Sequence, residues 1–345
     1  MKDNSLKVAS VVPMVRVADC DYNTDSIIDI CNKLNVQGVR LAVFPELSIT
    51  GFTCGDLFHS EVLIDGCERS LKRLVEMSLQ WDMAIIVGGV ISHNEVLYDC
   101  GIMILQGEIV VAVPNNSIDR NGCFSLGKEI DEIVQIANQS VPLVSNRIVS
   151  YEGLDISIIV GKKLNFDALD SLSERLDGVS VIANLSAQNE IMGAYQYQVD
   201  VIKKASELKQ SVFIYSGAGY GESTTDDVYD GKAIIAANGH LLAINKRWQT
   251  TEQIVVANIG TIDFENINIE NCNVENNEID TNPFLPIIAD AENWCSDAVN
   301  IQIMGLMRRL DVTHCKNLVI GISGGLDSTL ALLVAVTLVK VAAVL

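Results

Sequence analysis

Short apolar runs alternate with helix-period segments along most of this chain, and that alternation limits the fold more than any single motif. The runs "LKVASVV", "LAVFPEL", "AIIVGGVI", "GIMILQ", "EIVVAVP", "LDISIIV", "VSVIANLS", "SVFIYSGAG", "KAIIAANG", "LLAINKRW" and "QIVVANIG" each have the length of a covered strand. Between some of them lie "NTDSIIDICNKLNVQG" and "CERSLKRLVEMSLQWD", where apolar residues recur every three or four positions. Strands separated by such helices predict a mixed α/β sheet protein. The turns "LQGE" and "ANGH" read as hairpins, so the sheet is not purely parallel.

The pattern breaks after Ile262. The segment "DFENINIENCNVENNEIDTNPFLP" is rich in Asn and Glu and closes with Pro283 and Pro286, which reads as a linker or a surface-wrapping stretch. The expected organisation is therefore a first domain over 1–262, a linker over 263–290 and a second domain over 291–345. The second domain contributes an amphipathic helix, "ENWCSDAVNIQIMGLMRRL", then a strand "NLVIGI", a turn "SGGLDS" and an apolar segment "TLALLVAVTLVKVAAVL". One strand, turn and helix form only the opening of an α/β domain, so this domain is expected to be incomplete. The apolar segment is short for a membrane span and contains Lys340. It is expected to be one buried helix packed on a parallel sheet.

Composition narrows the partners. With 24 Lys and Arg against 44 Asp and Glu, the formal charge is −20. Such a surface repels phosphate backbones and anionic lipid, which argues against nucleic acid and membranes. Nine cysteines show no C-x-x-C pair and no Cys/His cluster of zinc spacing, so no metal site is expected. The opening "MKDNSLKVASVVPMVRVADCD" lacks a long apolar core and cleavage site of the exported kind. Together with the unclustered thiols it leads us to expect the reducing cytoplasm.

Two stretches carry chemistry. In "VFPELSITGFTCGDLF", Glu46 follows an apolar strand inside a turn, where an acid is either solvated or placed for catalysis. "SGGLDS" lacks the G-K-[ST] of a Walker loop. Between a strand and a helix, Gly324 and Gly325 let backbone N–H groups approach a phosphate, Ser323 and Ser328 add hydroxyls, and the helix dipole after Asp327 favours an anion.

These segments, with "NLSAQNEIMGAYQY", "YSGAGYGESTTDDVYDGKAIIAANG", "NPFLP" and "IGISGGLDSTLALLVAV" in that order, resemble the nitrilase superfamily of carbon–nitrogen hydrolases. More narrowly, they resemble the amidotransferase half and synthetase opening of bacterial glutamine-dependent NAD synthetases. The resemblance implies an α/β protein: a nitrilase-type α-β-β-α sandwich followed by the truncated start of a Rossmann-like ATP-pyrophosphatase domain. It also implies a Glu–Lys–Cys site. There a thiolate attacks the glutamine carboxamide, the Glu is general base, and the Lys steadies the oxyanion. Glu46 falls on the base position. Asn115 stands where the Lys is expected, in "VVAVPNNSIDRNGCF", and Asn121 where a tyrosine is expected. Aligning "LDISIIVGKKL" puts Val160 at the cysteine, with Gly161 and Lys162 in place of the following acids. Gln188 and Ala194 replace the usual Ser and Lys of the glutamine-holding segment. Cys54, Cys100 and Cys123 are expected to be buried, inert thiols.

The family resemblance assigns Gly321, Ser323, Gly324, Gly325, Leu326, Asp327 and Ser328 to ATP pyrophosphate, with magnesium and deamido-NAD bound by the intact family. This chain is expected to need no cofactor and to lack both glutaminase and complete synthetase activity. Homo-oligomers and a full-length synthetase are the expected partners, besides the family's glutamine, ATP and deamido-NAD. The alternatives are a non-catalytic scaffold or regulatory partner, and a truncated gene product without a role.

Overall fold

The computed structural model describes residues 6–117, 122–161, 164–166, 169, 178–259, 291–338 and 341–344. These fall into two compact units. The first runs up to Asn189 and resumes at Gln198; Glu190–Tyr197 group instead with the C-terminal helices. The expected linker over 263–290 lies outside the described residues.

The first unit is built on two sheets. Strand β1 (Leu6–Val12) pairs antiparallel with β14 (Gln253–Ile259) and parallel with β2 (Val39–Val43). The sheet continues through β3 (Ala84–His93), β4 (Val96–Leu105), β5 (Glu108–Pro114), β7 (Gln139–Val144) and β6 (Asp131–Ile136), making eight strands in the order β14-β1-β2-β3-β4-β5-β7-β6. The second sheet has six strands, ordered β13 (His240–Ile244), β12 (Ala233–Ala237), β11 (Val212–Gly217), β10 (Val181–Ser186), β9 (Leu154–Val160) and β8 (Ile148–Tyr151). Its centre, β9-β10-β11, is parallel. The expected hairpins are present, β4 to β5 across "LQGE" and β12 to β13 across "ANGH".

The sheets meet through apolar side chains. A Cβ built on Gly101 of β4 would lie 2.7 Å from Ile158, 3.1 Å from Val160 and 3.4 Å from Leu185. Glycine there lets the second sheet approach at van der Waals distance. Helices α1 (Cys20–Val36) and α2 (Glu61–Ser78) cover the first sheet with fully buried Ile27, Ile30, Leu34, Leu71 and Leu74. Asp19 caps α1 by accepting from Tyr22 N. Helix α3 (Ala194–Leu208) covers the second sheet, burying Val199, Val201 and Ile202. The result is helix, sheet, sheet, helix.

Three strands, β6, β7 and β8, escaped the sequence reading because each is short and half solvated. β6 buries only Val134 and Ile136 and leaves Ile133 exposed. Pro142 fits inside β7 because pairing to β5 is confined to Ala112 with Leu143, so few ladder bonds are required of that edge.

The second unit holds α4 (Ala291–Thr313), β15 (Leu318–Gly321), α5 (Leu326–Val336) and β16 (Val341–Val344). Here the expectation of one long terminal helix is corrected. The helix stops at Val336, and β16 pairs parallel with β15 from Leu318 with Val341 to Gly321 with Val344. An apolar run this short suits a buried strand as well as a helix, and only the pairing partner separates the two. Among the described residues no helix is long and apolar enough to cross a membrane.

Candidate functional site

Phe44 follows strand β2, and the chain then turns tightly through Pro45, Glu46 and Leu47. Leu47 takes a positive φ of 50°. The turn rests directly on Gly88 of β3, where a Cβ would lie 2.2 Å from Leu47 N and 2.4 Å from Pro45 O. No other residue fits there without moving backbone. Ile49 N donates to Gly88 O at 3.1 Å, which fixes the turn from its far side. Glu46 is thereby buried at 5% exposure, and its Oε2 accepts from Ala187 N at 2.8 Å, just past the end of β10.

Asn115 follows β5 and is 4% exposed. Its Nδ2 donates to Asp99 Oδ2 at 3.3 Å, while its Oδ1 accepts from Ser117 N and Oγ, both at 3.0 Å. Asp99 itself is buried, so the Asn115 amide is held from both ends.

The expected position of Val160 is corrected. β9 alternates Ile156, Ile158 and Val160 onto the face that packs against β4, and Val160 is 3% exposed between the sheets. The residue that meets Glu46 and Asn115 is Gly161. It leaves the pleat at φ 62°, donates to Leu185 O at 3.0 Å, and a Cβ on it would fall 2.3 Å from Asn115 Nδ2 and 2.6 Å from Glu46 Oε1. Strand periodicity contained this signal, since the first residue beyond an inward Val160 cannot share its direction.

The other expected positions are placed as follows. Gln188 is half-buried; its N donates to Ser186 Oγ at 3.3 Å and its Oε1 accepts from Gln198 Nε2 at 3.2 Å. Ala194 begins α3 and is half-buried, within the stretch that groups with the second unit. Asn121 lies outside the described residues. Cys54 and Cys100 are buried as expected, and burial pushes the Cys54 thiol up to about 12 and the Cys100 thiol well above its ordinary value. Cys123 departs from the expectation: it is half-buried, with its Sγ 3.6 Å from His59 Nε2.

Sequence reasoning passed over two buried charge groups. Glu222, 2% exposed, accepts from Phe52 N at 2.8 Å, Thr53 N at 3.0 Å and Thr53 Oγ1 at 2.6 Å, tying the "YGES" segment to the chain after Glu46. Asp230 lies between Lys232 Nζ, 3.0 Å from its Oδ1, and Arg247 Nε, 2.7 Å from its Oδ2. Neither is visible in sequence, because each depends on contacts between distant strands.

In the second unit, "SGGLDS" bridges β15 and α5. Gly324 has a φ of 82°, Gly325 N donates to Ser323 Oγ at 3.4 Å, and Ser323 Oγ lies 3.2 Å from Ser328 Oγ. Gly321, Ser323, Gly324, Gly325, Leu326 and Asp327 are exposed.

Residues 7–118 match the model of the carbon–nitrogen hydrolase family. The chain is 26% identical over 371 residues to a glutamine-dependent NAD(+) synthetase of Mycobacterium tuberculosis, covering 96% of this chain and 54% of the relative. A Dictyostelium discoideum protein of the same description is 23% identical over 72% of this chain and 37% of its own. In three dimensions, the glutamine-dependent NAD(+) synthetase of Cytophaga hutchinsonii matches with a TM-score of 0.75 at 17% identity, over 96% of this chain and 51% of that one. This chain is similar in sequence to glutamine-dependent NAD(+) synthetases and shares the fold of the solved structures it matches. It spans about half the length of the curated relatives it matches. An amidase of Nesterenkonia, caught with the acetamide moiety of fluoroacetamide added at its active-site cysteine, matches with a TM-score of 0.62 at 14% identity, over 76% of this chain and 94% of that one. The shared nitrilase fold is what these structural matches establish.

Proposed function

We propose that the chain keeps the amidotransferase architecture of glutamine-hydrolysing NAD synthetases but does not hydrolyse glutamine, and serves as a non-catalytic nitrilase-fold partner. One observation carries this reading: the residue facing both Glu46 and Asn115 is Gly161, which has no side-chain atom. The Nesterenkonia amidase forms its adduct on a cysteine. A glycine offers no nucleophile to form the first bond. Losing a nucleophile lowers the rate by roughly a millionfold.

Asn115 deepens the loss, because its neutral amide offers a developing oxyanion a donor without a positive charge. Glu46 remains placed to accept a proton, but Gly161 has no thiol to give one for thioester chemistry. For the second unit, Ser323, Gly324, Gly325 and Ser328 are suited to hold the phosphates of ATP, with Gly321, Leu326 and Asp327 framing the loop. When bound, magnesium would neutralise phosphate charge. The described residues offer no group of three or more His, Cys, Asp or Glu to hold it.

The eight described cysteines form no disulfide, which supports the reducing cytoplasm as the site of action. Partner assembly, either with copies of itself or with a full-length synthetase, follows from the family resemblance. The test is direct. Purified chain incubated with glutamine is expected to release no ammonia above a buffer blank; release abolished by Glu46→Gln would overturn the reading. Co-purification with a full-length synthetase is the expected sign of the partner role.

A further inference from the structure

The helical segment Phe52–His59 and the chain around Cys123 are locked together by an aromatic pair. Phe58 and Phe124, both buried, meet edge to face with ring centroids 4.8 Å apart. Ser125 N donates to Leu97 O at 2.9 Å and anchors the same strip to β4. His59 and Cys123 are the immediate neighbours of these rings, so the 3.6 Å approach of Sγ to Nε2 is set by buried packing. His59 is exposed and Cys123 half-buried, which leaves the pair open to solvent, unlike the interior thiols. An imidazole beside a thiol promotes thiolate formation and can return the proton to a leaving group.

His59 also forms part of the wall of a cavity of about 550 Å³. Its lining includes Glu61, Asp65, Glu68 and Glu95 around an apolar base with Phe58, and no Lys or Arg. Glu68 is paired with Lys72 at 3.4 Å, so Glu61, Asp65 and Glu95 over the apolar floor are what favour a small cation with some hydrocarbon.

We propose that Cys123 and His59 form a thiol-exchange site for small, positively charged disulfides, independent of the Glu46 pocket. The Cys123 thiolate attacks one sulfur of the disulfide. A bond from Sγ to that sulfur forms, the original S–S bond breaks, and the departing thiolate takes the proton that His59 received from Cys123. Cys123 is oxidised to a mixed disulfide, and the departing half is reduced to a thiol.

The full-length chain is treated at pH 7 with cystamine, a dicationic disulfide, or glutathione disulfide, an anionic one, and modification is followed cysteine by cysteine by mass spectrometry. Cys123 is expected to react with cystamine at least about tenfold faster than the exposed Cys295 and Cys315, and to prefer cystamine over glutathione disulfide by about tenfold more than they do. His59→Gln should remove most of the rate advantage, and Glu61→Gln with Asp65→Asn should shrink the preference. A Cys123 rate no greater than that of Cys295 overturns the proposal. So does an unchanged rate in a folded His59→Gln variant, or a preference for cystamine equal at all three thiols. The wild-type comparison needs no variant and decides the matter even if His59→Gln fails to fold.

Discussion

At position 161, a side chain would have to share space with Asn115 Nδ2 and Glu46 Oε1, and it would have to do so at a positive φ. Both penalties are local and measurable. Gly161→Ala should destabilise the chain by about 1–3 kcal/mol, read as a shift in urea midpoint. If the clash with Asn115 is a main contributor, Asn115→Ala should relieve part of it. A double-mutant cycle should then give a coupling of about 0.5–2 kcal/mol, and strict additivity would show that the φ strain dominates. The same geometry explains why Gly161→Cys alone is expected to yield no glutaminase: the added side chain is forced against an amide already held by Asp99 and Ser117. Ammonia release by that single variant would contradict this account.

At the scale of elements, the turn carrying Glu46 depends on what lies beneath and beside it. Gly88 allows backbone to rest on backbone, so Gly88→Ala should cost more than about 3 kcal/mol or prevent folding, as judged by soluble yield and thermal melting. Glu222 holds the first residues of the Phe52–His59 segment through two backbone N–H groups and one hydroxyl. Glu222→Ala leaves those buried donors without their acceptor and should cost about 2–4 kcal/mol, with hydrogen exchange at Phe52 and Thr53 accelerated. Strands such as β3, β9 and β10 were legible from sequence because each is a run of apolar residues with a covered face. β6 and β8 were not, because water on one face removes that pattern. The terminal segment failed for a different reason: an apolar run bounded by Thr337 and Leu345 does not say whether it crosses over as helix or returns as strand.

At the scale of the molecule, several interior thiols share one electrostatic condition. Burial raises Cys20 to about 11 and Cys54 to about 12, and it raises Cys31, Cys67 and Cys100 from the same ordinary value of 9.0. In the unfolded chain these thiols lose protons near pH 9, whereas in the folded chain they retain them. The unfolded state therefore binds fewer protons above that pH, and stability falls as pH rises from about 9 towards 12. Each thiol adds at most about 1.4 kcal/mol per pH unit within its window. Urea midpoints measured between pH 8 and pH 11 should be level at first and then decline; a flat profile would mean that the thiols ionise equally in both states.

Sequence alone determined the mixed α/β character, the helical segments before and after Glu46, the acid itself and the strand–turn–helix context of "SGGLDS". Those features rest on local periodicity and on residue types whose chemistry is fixed by their neighbours in the chain. Only the tertiary structure decided which residue stands opposite Glu46. The choice between Val160 and Gly161 turns on the direction in which one strand leaves its sheet. That direction is set by Gly101 across the interior and by the pairing of Val160 with Leu185. The nearness of Cys123 to His59 was decided in the same way, by two buried phenylalanines 66 positions apart that the packing brings together.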